Sequence, residues 1–308
     1  MGGGCDVIMA YMIANYLSDG PKENIMHANC IGERSIPEYI NTIIENKLYY
    51  IDSNNNSVIS ETLIGDGYGT TKLEEMTVKI TNRSLYIIPV KTYKDVDTDT
   101  TEDKKNKLES ITNTNEQIMR EVIEKLNINI VISIDTGGDS ITGGKDWKYD
   151  RFSSRDLQVL HACRQLYKSN YINKLYHIVL GPCCDGETSD NDMVLAVYNK
   201  NAIYDSNFKK PVDNKIFHGG FILDSLFNSS IINTLLSKLK AKRTPNIIKL
   251  ALDYKNNILD NNILDNNILD NNIIIKDNNI IIKRYGNIAI IPYQLLTIGL
   301  IFTYNNKY

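Results

Sequence analysis

The sequence predicts an α/β fold: one three-layer α/β/α domain spanning residues 1–308, with a mainly parallel sheet. Three stretches predict it. Residues 128–141, INIVISIDTGGDSI, read as an Ile/Val-rich strand buried on both faces that stops at Asp135, Thr136, Gly137, Gly138 and Asp139. Residues 175–180 read as a second strand that runs into GPCCDGE, and the helix expected between the two makes a βαβ unit with parallel strands and a right-handed crossover. The chain opens on MGGGCD, a glycine loop feeding a helix, which turns unpaired backbone N–H groups and the helix dipole toward an anion. Such a loop ordinarily follows a strand, and none precedes it in this sequence: either the first strand has been lost or the true start lies further upstream.

Length and composition narrow the classes. A chain of 308 residues can bury a sizeable core, and 42% hydrophobic with 23% charged residues is an ordinary globular composition. A net charge of −3 and an isoelectric point near 5.9 give no basic field for nucleic acid or anionic lipid. Cys5, Cys30, Cys163, Cys183 and Cys184 are scattered, form no C-x-x-C pair and follow no secretory signal, so a reducing, cytoplasmic compartment is expected. Pro292 and Gln294 interrupt IAIIPYQLLTIGLIFTY before it reaches the length of a membrane helix, and this stretch is expected in the core. The heavy use of Asn, Ile, Lys and Tyr is the bias of an AT-rich genome.

In chain order, an amphipathic helix is expected over 6–17 and a strand over 24–31, closed by Gly32, Glu33 and Arg34. A helical piece follows at 38–47, an Asn-rich turn at 54–56 and a short strand at 85–91. Residues 92–113 are polar without an apolar period and read as a surface loop or a partly disordered excursion. Ile118, Val122 and Leu126 then fall on one helical face. Ser153 and Ser154 are placed to cap a helix reaching Tyr167, with Leu157, Leu160 and Cys163 at helical spacing. Beyond HGGF at 218–221 a long helix is expected over 222–242, broken by Pro245. ILDNN occurs three times across 256–272, too few repeats for a solenoid, and reads as an Asn-rich insertion. IIIKDNNIIIKR has the pattern of a hairpin turning at Asp277, Asn278 and Asn279.

Ligands of open α/β sheets bind outside the carboxyl ends of the strands. The sequence sends Asp6, Asp135, Asp139, Asp185 and Glu187 there, with Gly2, Gly3, Gly4, Gly137, Gly138 and Gly186. Two carboxylates about 5 Å apart at an effective dielectric near 20 repel by about 3 kcal/mol. Converging acids therefore need a divalent cation such as Mg²⁺, a raised pKa on one of them, or ligand hydroxyls and cationic groups. The plainer alternative is that each acid caps its own helix or turn. GDSITGGK is one residue too long for a phosphate-binding P-loop, and Asp146 follows Lys145 where a hydroxyl residue is needed, which excludes that class of ATPase. Neither Cys183 nor Cys184 has a base placed to activate it. His27, His161 and His177 read as packed, whereas His218, beside Gly219 and Gly220, reads as a ligand contact. Gly2 and Cys5 invite a lipidation reading, but Asp6 stands where the myristoylation pattern wants Ser or Thr.

GGGCDVIMAYMIANYL, IDTGGDSITGG, SSRDLQVL and LGPCCDGE occur in the order seen in the domain of unknown function 1152 family, which the chain resembles strongly over residues 2–187 and weakly beyond. The resemblance implies a Rossmann-like fold. It singles out Gly2, Gly3, Gly4, Asp6, Glu33, Arg34, Asp135, Gly137, Gly138, Asp139, Asp185, Gly186 and Glu187. The missing first strand, the paired cysteines before Asp185 and the ILDNN insertion depart from the family pattern. The AT-rich bias and the insertion are similar to those of large DNA virus proteins, which implies the host cytoplasm. The expected function is binding of a small phosphate- or ribose-containing ligand at the carboxyl ends of the strands, with its turnover left open. The glycine loop and the Asp6 helix would take phosphate, and Arg34 an anionic group. Asp135, Asp139, Asp185 and Glu187 would take ribose hydroxyls or Mg²⁺, one of them as general base. The alternative from another class is a non-catalytic structural or interaction protein that keeps the fold without the chemistry. Neither nucleic acid nor a membrane is an expected partner, and the oligomeric state is left open.

Overall fold

The computed structural model describes residues 5–17, 25–32, 34–54, 70–92, 100–142, 155–198, 215–241, 243–256, 268–270, 273–284 and 287–304. They form a mixed α/β protein with three four-stranded sheets. Helix α1 (Asp6–Leu17) buries Val7, Ile8, Met9, Tyr11, Met12 and Ile13, which cover every side of its first turns. It is a core helix, not the amphipathic one expected.

The first sheet has the order β1 (Ala28–Ile31), β4 (Leu85–Pro89), β3 (Leu48–Ile51), β2 (Asn41–Ile44). β1 and β4 are parallel, and the β2–β3 hairpin is antiparallel. This hairpin stands where a helix was expected over 38–47. Asn46, with φ 58°, supplies the left-handed residue that a three-residue turn needs. Helix α2 (Lys72–Thr81), for which no element was expected, leads into β4.

Residues 101–126 form a single helix, α3 (Thr101–Leu126), which corrects the loop expected over 92–113. Its start is a capping box: Thr100 Oγ1 accepts from the Asp103 N–H at 3.2 Å, and Asp103 Oδ2 accepts from the Thr100 N–H at 3.0 Å. Its first half is largely exposed, and its second half buries Ile118, Met119, Val122 and Ile123 in a core shared with Val159, Leu160, Cys163 and Leu166 of helix α5 (Arg155–Lys168). Thr100→Ala should therefore destabilise by about 1 kcal/mol, seen as a lower urea midpoint at unchanged m-value.

The site-bearing sheet has the order β5 (Ile130–Thr136), β6 (Lys174–Leu180), β12 (Ile298–Tyr304), β7 (Lys215–Ile222). β5 and β6 run parallel from Ile130↔Lys174 to Thr136↔Leu180, joined through the short helix α4 (Asp139–Thr142) and α5. Ser153 and Ser154 lie outside the described residues. β12 is antiparallel to both β6 and β7. Of the nine described ladders only β1/β4 and β5/β6 are parallel, so the sheets are mixed rather than mainly parallel. Short turns account for the antiparallel β2/β3, β8/β9, β9/β10 and β10/β11 pairs, whereas β12 enters antiparallel between β6 and β7 after a long connection. Burial of β5 on both faces holds for Ser133 to Thr136 alone, since Ile130 and Ile132 are exposed. Helix α1 packs against both β1 and β5, the edges of two different sheets.

Helix α6 (Asp190–Tyr198) follows β6. The long helix expected over 222–242 is replaced: Ile222 ends β7, and two short helices follow, α7 (Asp224–Phe227) and α8 (Ser230–Ser237), separated at Asn228 and Ser229. Pro245 does not end a helix but sits in the first turn of α9 (Thr244–Lys255), where its missing N–H has no intrahelical partner to lose. The third sheet is the antiparallel meander β8 (Ile268–Asp270), β9 (Ile273–Lys276), β10 (Asn279–Arg284), β11 (Asn287–Pro292). The hairpin expected here forms, turning on Asp277 and Asn278 with φ 49° and 61°. Part of the last ILDNN repeat contributes β8, while residues 257–267 of the insertion lie outside the described residues. Helix α10 (Tyr293–Leu296) then leads into β12. Among the described residues no helix is long and apolar enough to cross a membrane.

Candidate functional site

β5 delivers Asp135 to its carboxyl end, with Ser133 two residues earlier on the same face. The chain then turns through Gly137 and Gly138, with φ 114° and 104°, conformations that a side chain resists. Gly137 also has no room for a Cβ, which would lie 2.0 Å from Asp185 Oδ2. The two loops after β5 and β6 are thus pressed together, as parallel strands require. Backbone bonds seal them: Gly137 N–H donates to Leu180 O at 3.1 Å, and Cys183 N–H donates to Gly137 O at 2.7 Å. Cys183 takes φ 72°, which costs about 1 kcal/mol or more in a residue with a side chain. Ile282 and Ala289 of the meander back Gly186, so the third sheet braces the DGE loop.

Asp135 is fully buried. Its Oδ2 accepts a short hydrogen bond from Ser140 Oγ and another from Ser140 N–H at 3.3 Å. Ser140 Oγ lies 2.9 Å from His177 Nε2, and His177 Nδ1 lies 3.1 Å from Ser133 Oγ. The serine's single proton goes to Asp135, so Nε2 carries the imidazole proton and Nδ1 accepts from Ser133. His177 pairs directly across from Ser133 in the β5/β6 register, which is how two strands build this row.

Asp6, the first residue of α1, and Asp156, the second of α5, meet Asp135 there, one carboxylate oxygen of each lying within 4.8 Å of the others. Burial, then the charges of Asp139, Asp156 and Asp6, hold the Asp135 carboxyl well above the usual range, against the Ser140 hydrogen bond. Burial and the charges of Asp139 and Asp6 push Asp156 up to about 8, with Arg155 opposing. Arg155 Nε lies 3.8 Å from Asp156 Oδ1. A Cβ on Gly32, just past β1, would lie 3.3 Å from an Arg155 terminal nitrogen, so this guanidinium spans from the cluster to the end of the first sheet.

The other expected residues divide. Asp139 begins α4 and is buried beside Asp135. Asp185 abuts Gly137, and its Oδ1 accepts from the Glu187 N–H at 2.9 Å, so the DGE turn is internally bonded and Glu187 is half-buried. Arg34 Nη1 donates to Thr70 O at 2.8 Å and lies 3.5 Å from Glu74 Oε1. His218 is exposed on the edge strand β7, its Nε2 2.6 Å from Thr303 Oγ1, and is not brought to the acids. Gly2, Gly3, Gly4 and Glu33 lie outside the described residues. Cys183 and Cys184 are fully buried, and burial with the nearby Asp185 and Asp135 charges pushes the Cys184 thiol far up, so it stays protonated.

Sequence reasoning missed Asp156, Arg155, Ser140 and His177. The signal for Asp156 was the acid in SSRDLQVL, read only as a helix start. For His177 it was the strand period, which puts it across from Ser133 once the two strands are paired. Comparison of the chain with protein-family models, with curated proteins and with solved structures finds no match.

Proposed function

We propose that the protein binds a small phosphate- or ribose-containing ligand at the carboxyl ends of β5 and β6. The observation that supports this reading is the meeting of acidic side chains from four segments, Asp6 of α1, Asp135 of β5, Asp139 of α4 and Asp156 of α5. Separate capping of helices and turns would leave such groups apart and hydrated. The reading takes β5–α5–β6, with α1 beside it, as the ligand-binding half of a Rossmann-like arrangement, and the resemblance to the domain of unknown function 1152 family belongs with it. On this reading Asp185 and Glu187, on the neighbouring loop, would accept from ribose hydroxyls, and Arg155 beside the cluster would take the phosphate.

A thermal-shift screen of nucleotides and sugar phosphates tests this. A ligand at 100 times its Kd should add about 2.7 kcal/mol of stability, and Asp135→Asn combined with Asp139→Asn should abolish the gain. No stabilisation by any of them would sink the reading and leave an interaction protein that keeps the fold.

A further inference from the structure

We propose that Asp6, Asp135 and Asp156 hold a divalent, oxygen-preferring cation. The inference deepens the ligand-binding reading and rests on the same site, but it assigns the metal to a different set of acids from the one the sequence suggested.

Geometry comes first. Three oxygens within 4.8 Å of one another share a centre no more than about 2.8 Å from each, and contraction by a few tenths of an ångström gives calcium distances, by somewhat more magnesium distances. The donor set is carboxylate only, which suits a hard cation and not the nitrogen and sulfur ligands of zinc. The three residues come from an α1 terminus, a strand end and an α5 terminus, so the backbone fixes their approach from three directions.

The state of Asp135 is the second, independent observation. The residue has no solvent exposure, and its Oδ1 has no hydrogen-bond donor while Ser140 holds Oδ2. A buried carboxylate oxygen without a donor is a rare arrangement, and a bound cation satisfies it. Asp156 Oδ1 is likewise buried without a hydrogen bond, Arg155 Nε being 3.8 Å away. Ser140, positioned by His177, orients the Asp135 carboxylate so that the second oxygen serves the metal. A ligand phosphate would then bridge the cation and Arg155, which names the ligand class as an anion delivered with its metal.

The full-length chain, stripped with EDTA, is titrated with Mn²⁺ by electron paramagnetic resonance and with Mg²⁺ and Ca²⁺ by calorimetry, with no organic ligand present. One saturable site is expected. Asp135→Asn and Asp156→Asn should each weaken it about tenfold or more. Glu121→Gln, which removes a surface charge paired with Lys47, should leave it unchanged. Circular dichroism confirms that each variant folds. Absence of saturable uptake by the wild-type chain overturns the proposal, as does unchanged affinity in a folded Asp135→Asn. Cation uptake with no response to any phosphate or ribose compound would sink the ligand reading alone, and an equal ligand response in EDTA and in Mg²⁺ would sink the cation alone.

Discussion

Between pH 6.5 and pH 8 the cation-free protein should lose about 2 kcal/mol of stability as the pH rises, because Asp156 stays protonated in the fold up to about 8 but ionises near 3.8 when unfolded. Over this interval the folded state holds a proton that the unfolded state has released. Each pH unit therefore favours unfolding by about 1.4 kcal/mol. Asp135, raised by the same burial and the same neighbours, acts in the same direction. The lowered histidines His27 and His161 contribute little above pH 6.5. Burial against α1, where its Nε2 lies 2.8 Å from Val7 O, lowers His27 to about 4 from 6.5. Its effect has the opposite sign and lies between those two values: the unfolded histidine takes up a proton there and the folded one does not. Urea unfolding in EDTA at the two pH values measures the acid contribution. Stability that is flat or rises with pH would show that the acids are not held as described, and saturating Mg²⁺ should remove the loss at pH 8.

Gly137→Ala should destabilise by about 3 kcal/mol and remove ligand affinity. Two effects add. The φ of 114° strains any residue with a Cβ, and that Cβ would lie 2.0 Å from Asp185 Oδ2, 2.3 Å from Cγ and 2.8 Å from Cβ, so the whole Asp185 side chain must leave. Gly219→Ala separates them, since Gly219 has φ 138° but nothing within 4 Å of an added Cβ. It should cost only the backbone part, about 1 kcal/mol, with binding intact. Equal losses in the two variants, measured by urea unfolding, would mean that the contact between the two loops contributes nothing.

How far the sequence disclosed this protein depended on how local each signal was. The βαβ unit was legible because Ile130 to Thr136 and Lys174 to Leu180 are apolar runs that stop at glycines, and both loops do emerge side by side. The hairpin at Asp277 and Asn278 was legible because two left-handed residues leave a mark in composition. Helix α3 was hidden because its first half buries little and is held by Thr100, Asp103 and a distant apolar end, so no period betrays it. The β2–β3 hairpin was hidden because IPEYINTIIENK suits a helix by spacing, and only the pairing of Tyr49 and Tyr50 with β4 decides otherwise. In the site, Asp135 and Asp139 were read from the loop they share. Asp156 was not, because proximity across the crossover is a tertiary fact that no spacing along the chain encodes.

The placing of β12 bears on the order in which the protein can assemble during synthesis. β6, which carries His177 and leads into the DGE loop, has β5 on one side and β12 on the other, with Leu300 paired to Val179 and Phe302 to His177. The first sheet is complete once β4 has left the ribosome. The sheet beneath the acids has an open edge along β6 until nearly the whole chain has been made. A nascent chain stalled before residue 298 would therefore hold all four strands of the first sheet while β6 still lacked its second neighbour, so the sheet beneath the acids is completed only late in synthesis.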